Sequence, residues 1–221
     1  MKDFTILTLC KIDYNTVFFV MQTNEYIFLF WIQFLFMNDI CVYFTDPSSP
    51  DAVCDGLLSA CKNKKDVVFA FIGTDANVGD SLAPMCGSLL HGRHKNVFFY
   101  GNLNRPITAK EVPFVAEFLK RAHPDSAIIV VDAAVGKKED VGTVKVISRG
   151  IKPGLGVNKN LPPVGDVSVI GVISEKNDLG LSFLGCERVS KVYSMSKVIA
   201  SGIEKFLSVR SSFLNVSSSA T

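Results

Sequence analysis

The chain has 221 residues, of which 48% are hydrophobic and 20% charged, the balance of one well-buried globular domain. Its formal charge is +2, with 23 Lys and Arg scattered among 21 acids, so it lacks the basic footprint that nucleic acid binding requires and implies no acidic partner. The six cysteines form no CxxC pair and are expected as buried free thiols of a protein in a reducing cytoplasm.

Residues 1–36 stand apart from the rest. The run YIFLFWIQFLFM (26–37) is far more apolar than anything downstream. At 12 residues it is short of the roughly 20 that a membrane-spanning helix needs, and Gln22, Thr23, Asn24 and Glu25 interrupt its backward extension. A secretory signal is not expected, since acids offset Lys2 and Lys11 and bulky residues stand where a cleavage site would lie. Three readings stay open: translation from Met37, a membrane-surface anchor, or an additional buried element. Membrane contact is not expected elsewhere in the chain.

From Met37 the elements alternate. Residues 40–44 predict a short edge strand, and Ser49-Pro50 opens a helix whose Val53, Leu57, Leu58 and Cys61 share a face. The apolar run 67–72 reads as a strand buried on both sides, ended by Gly73. Asp80 and Ser81 then open a helix carrying Leu82, Cys86, Leu89 and Leu90, with Gly92 as its stop. VFFY (97–100) is the next buried strand. Thr108 and Glu111 have the form of a capping box before a helix over about 109–121, with Val112, Val115, Phe118 and Leu119 inward. AIIVV (127–131) is a further buried strand, with Asp132 at its end.

This β-α-β-α-β-α-β order predicts a three-layer α/β/α domain around a mostly parallel sheet. Two strands without an intervening helix follow, at 143–147 and 167–173, separated by a long Pro- and Gly-rich loop. A last amphipathic helix is marked by Val189, Tyr193, Ile199, Ile203 and Phe206, and the serine-rich segment 208–221 is expected to be disordered. The expected organisation is an N-terminal extension (1–36), a core domain (37–207) and a tail (208–221).

Loops at the carboxyl ends of parallel strands are where ligands bind in such sheets, which singles out Asp80 and Asp132. Asp80 also fits a plain N-cap role, because aspartate is favoured just before a helix. An acid closing a run as apolar as AIIVV lies at the edge of a core, where burial perturbs ionisation and chemistry becomes possible. Asp75 is expected to bond its own loop backbone. His91, His94 and His123 fall at helix ends away from the strand termini, and no spacing matches a dedicated zinc site. Ser81 lacks a GxSxG elbow, the PGLGVNK stretch does not join a strand to a helix, and Lys159 within it reads as a solvated loop lysine.

The segments IGTDANVGDSLAP (72–84), FYGNLNRPITA, IIVVDAAVG and KPGLGVNKNLPPVGDVSVIGVI (152–173) resemble, in order and spacing, the YyaC family of sporulation proteins, described as spore proteases. The likeness spans about residues 40–173. It implies the fold of the germination protease and of the hydrogenase maturation peptidases. In the germination protease one essential aspartate lies in a D-x-L-G-P motif similar to Asp80-Ser81-Leu82-Ala83-Pro84, and the other in an I-D-A motif similar to Val131-Asp132-Ala133. Ala83 replaces the family's usual Gly, Ala134 its frequent Cys, and Thr108 its frequent His. The resemblance therefore implies a sporulation-associated peptidase with Asp80 and Asp132 as catalytic acids and without cofactor or metal. Its expected partner is a protein or peptide substrate, by analogy a small spore protein. The expected place is the cytoplasm of the forespore or the spore core, and a homo-oligomer stays open. Two alternatives remain: a metal-dependent maturation-type peptidase, for instance with nickel, and a non-catalytic protein that binds a peptide or partner in the cleft.

Overall fold

The computed structural model describes residues 39–151, 163–176 and 187–212 in full, and 6–13, 16–23, 26–28 and 213–218 in backbone alone. The chain divides into two compact units, Met1–Met37 and Asn38–Thr221. In the first, β1 (Ile6–Asp13), β2 (Thr16–Thr23) and β3 (Tyr26–Phe28) form an antiparallel meander. Cys10 stands opposite Phe18, and Gln22 opposite Ile27. The start of the apolar run is thus strand. Among the described residues no helix is long and apolar enough to cross a membrane.

The second unit runs β4 (Ile40–Tyr43), α1 (Ser49–Ala60), β5 (Asp66–Phe71), α2 (Leu82–Leu90), β6 (Phe98–Tyr100), α3 (Val112–Ala122), β7 (Ser126–Gly136), β8 (Thr143–Ile147), β9 (Val167–Glu175) and α4 (Val189–Ser218). Its six strands lie in the order β4-β8-β9-β7-β5-β6. β6, β5, β7 and β9 pair in parallel, while β8 is antiparallel to both β9 and β4. Only β8 therefore runs against the others. The β8–β9 pair explains the two strands without an intervening helix, because antiparallel neighbours need no crossover.

Strand alternation sends Phe69, Phe71, Ile129 and Val131 to one face, where they pack with Leu57 of α1, Leu82 and Leu90 of α2, and Met195, Ile199 and Phe206 of α4. Val68, Ala70, Ile128 and Val130 point the other way, against Val112, Ala116 and Leu119 of α3. These are the two helical layers expected from the β-α alternation. Cys54, Cys61 and Cys86 are buried free thiols, and burial raises Cys61 to about 11 and Cys86 to about 12, so both are inert; Cys41, on β4, is exposed.

Several local expectations change. β6 is an edge strand with β5 as its single neighbour, so Phe98 is exposed rather than buried. Phe118 is also exposed and lies edge-on against Tyr100, 5.6 Å between ring centres, leaving Val112, Ala116 and Leu119 to face the core. In α4 the inward stripe is Val192, Met195, Ile199, Ile203 and Phe206, while Val189 and Tyr193 lie outside it. Ser49 is buried without a side-chain partner; Ser48 precedes α1, bonded to Asp46.

The serine-rich segment is helical through Ser218 rather than disordered. Its serines return their hydroxyls to the helix's own carbonyls: Ser208 to Glu204 at 2.9 Å, and Ser211 and Ser212 to Ser208 at 2.8 and 3.1 Å. Arg210 fastens this end to the turn after α1, donating to the carbonyls of Lys64 and Lys65 at 2.7 and 2.6 Å.

Candidate active site

β7 does not end at Asp132. It continues to Gly136, and Asp132 pairs with Ile170 of β9. What ends there is the neighbour, since β5 pairs with β7 only as far as Phe71 opposite Val131. Asp132 thus stands one residue past the end of β5, at the carboxyl end of the parallel strands. It is partly exposed, and its Oδ1 accepts the Ala133 N–H at 2.8 Å.

Asp80 reaches the same region from the β5–α2 connection. The chain turns away after Ile72, whose N–H donates to Val131 O at 2.9 Å, while Gly73 N–H donates to Ile107 O at 2.9 Å. It folds back so closely that a Cβ on Gly73 would lie 2.2 Å from the Asp80 carbonyl oxygen. Thr74 N–H donates to that oxygen at 3.2 Å. A 3-10 turn, Gly79–Ser81, then leads into α2 and packs against β7. Ser196 of α4 ties the start of α2 down by donating its hydroxyl to Leu82 O at 3.0 Å.

The N-cap reading of Asp80 fails. Neither the 3-10 turn nor α2 has a side-chain cap, and the Asp80 carboxylate instead accepts from Asn77 Nδ2 at 3.4 Å. The Asn77 contact was not foreseen from sequence; its one signal there is a position three residues before Asp80 in a turn.

Burial raises both acids. For Asp80 the loss of water outweighs the Asn77 hydrogen bond. For Asp132 burial is again the largest cause, opposed by the Ala133 N–H and reinforced by the negative charge of Asp80, and the carboxyl is raised to about 8. The repulsion falls on Asp132 because Asp80 ionises first and opposes the second ionisation. By strand alternation Asp132 starts on the α3 side of the sheet, whereas Asp80 comes from the α2 side; no hydrogen bond joins the two carboxyl groups among the described residues. They interact through charge at the open end left by β5.

The other candidates fall elsewhere. Asp75 is exposed, and the loop bond expected of it is made by Thr74, whose Oγ1 accepts the Ala76 N–H at 3.2 Å. Thr108 pairs with Glu111, which accepts both its N–H, at 3.0 Å, and its hydroxyl. His123 meets the Tyr100 hydroxyl at 2.8 Å. Ser81 is buried and donates to Val78 O at 2.6 Å. Lys159 and the PGLGVNK stretch lie outside the described residues. Among the described residues no three His, Cys, Asp or Glu side chains are grouped so as to hold a metal ion.

Comparison with known proteins gives three findings. The chain is 33% identical over 140 residues to "Uncharacterized protein YyaC" of Bacillus subtilis (strain 168), covering 63% of this chain and 68% of that one. A solved structure, the [NiFe] hydrogenase maturation protease HycI from Thermococcus kodakarensis KOD1, aligns with a TM-score of 0.40 and 15% identity over 67% of this chain and 98% of its own. A family model described as "Protein of unknown function (DUF1256)" matches residues 41–202, most of the second unit, and the chain therefore belongs to the DUF1256, or YyaC, family.

Proposed function

We propose that the protein hydrolyses peptide bonds with Asp80 and Asp132 as a catalytic pair. The observation that carries this reading is an acid raised to about 8 by burial and by the charge of a second acid, at the carboxyl end of a parallel sheet. At neutral pH the pair holds one proton, on Asp132. Ionised Asp80 takes a proton from water as its oxygen attacks the scissile carbonyl, and Asp132 donates its proton to the carbonyl oxygen. The tetrahedral gem-diol collapses as the C–N bond breaks: Asp80 gives the proton it took from water to the leaving nitrogen, while one hydroxyl of the intermediate returns its proton to Asp132, which restores the pair with its single proton on Asp132.

Asn77 favours Asp80 as the ionised member, since its amide donates to that carboxylate. The resemblance of the two aspartate motifs to those of the germination protease supports both acids as catalytic. From it we also take the finer reading: a sporulation role, cytoplasmic placement in the forespore or spore core, and small spore proteins as substrates.

The test is incubation of the full chain, Asp80→Asn and Asp132→Asn with sporulation-stage lysate, followed by mass spectrometry of new termini. The unsubstituted protein is expected to generate termini that both variants fail to generate. Equal cleavage by both variants removes the proposal.

A further inference from the structure

We infer that the substrate of this site is an extended peptide, held as an added strand along the free edge of β7 that begins at Asp132. The inference rests on the acid-pair reading and extends it to the class of substrate. β7 is paired on both sides up to Val131 and only with β9 beyond it. Peptide groups alternate in direction along a strand. Because Val131 O accepts from Ile72, the residue after β5, Ala133 and Val135 present their groups on that same side, while Gly136 O faces β9 and accepts from Lys176 N–H at 2.8 Å.

Asp132 terminates the ladder in a particular way. In a continued parallel ladder the Ala133 N–H would donate to the carbonyl of Ile72. It donates instead to Asp132 Oδ1, at 2.8 Å. The Asp132 carboxyl thus takes the hydrogen bond that a neighbouring strand's carbonyl would accept, so a strand joining the edge beyond it would run its main chain beside the proposed catalytic acid. Past this point β5 has ended, and among the described residues no further strand of the sheet lies beside Ala133 and Val135 on that side. Residues 133–136 are all partly exposed, and Ala133 and Ala134 carry small side chains.

A partly exposed strand edge with no neighbouring strand, secured on its other side, is the arrangement that captures peptides by strand addition. Recognition through the main chain selects conformation before sequence. The substrates are segments that can be drawn out straight, and helices or closed hairpins are refused.

The experiment uses the full chain and a library of quenched fluorescent decapeptides. The best-cleaved peptide is remade with a single N-methyl group at each position in turn. Strand addition predicts that kcat/KM falls roughly 10- to 100-fold at alternate positions on one side of the scissile bond, with the positions between them within a few-fold of the parent. The same parent peptide, bound to Asp80→Asn, is expected to slow hydrogen exchange of the Val135 amide. Cleavage that tolerates every N-methyl group, or an unchanged Val135 amide, overturns strand addition and leaves the acid pair standing. Failure of the protein to cleave any library member, in a preparation shown to be folded, overturns both.

Discussion

A carboxylic acid that keeps its proton up to about pH 8 couples folding to pH. In the unfolded chain Asp132 ionises near its ordinary 3.8, so between that value and about 8 the folded protein binds more protons. Stability then falls as pH rises through this window and levels off above it. Asp132→Asn keeps the acceptor for Ala133 and removes the ionisation. The variant is expected to exceed the unsubstituted protein in urea stability at pH 8 by more than ~1 kcal/mol and to match it near pH 4. A curve that is flat with pH in both proteins would contradict the raised acid. Peptidase activity is expected to decline above about pH 8, as the pair loses its single proton. Gly73→Ala forces the Asp80 carbonyl away from a Cβ 2.2 Å distant, and kcat/KM should fall roughly 100-fold as Asp80 shifts. Asp132 is conspicuous in the sequence because it follows a buried apolar run, and Asp80 because it opens a helix just after a strand-end loop. Asn77 is not, because its meaning depends on the fold of the turn around Asp80 rather than on any pattern.

Among the elements, the strands and helices of the second unit follow hydrophobic period closely, and the departures have a common cause. Whether Phe98 or Phe118 is covered depends on what lies beside β6, and β7 runs on past Asp132 because β9 continues beside it. Neither is a local property. The serine-rich end of α4 misleads in the opposite direction, since composition argues for disorder while helical backbone and the Arg210 anchor hold it. Arg210→Ala is expected to lower stability by about 1 kcal/mol and to increase exchange at the end of α4. Phe69, fully buried between Phe71, Phe99 and Phe206, belongs to the central packing, and Phe69→Ala should cost about 3–5 kcal/mol in denaturant melts.

For the whole molecule, the described residues of the second unit form two buried clusters, one on each face of its six-stranded sheet. A chain of residues 38–221 is therefore expected to unfold in urea in one cooperative transition; separate transitions for the two faces would contradict a common core. β4 leads the second unit, yet its single neighbour is β8, with Ile40 set opposite Val146. On a ribosome, the first strand of this unit to emerge must wait about a hundred residues for its mate. Its hydrogen-bonding groups stay unclaimed in the meantime, and closing so long a span delays the final step of assembly. Newly made chains thus pass through a stage open to wrong partners, and a cell producing this protein has reason to shield that first strand until the hairpin of β8 and β9 arrives.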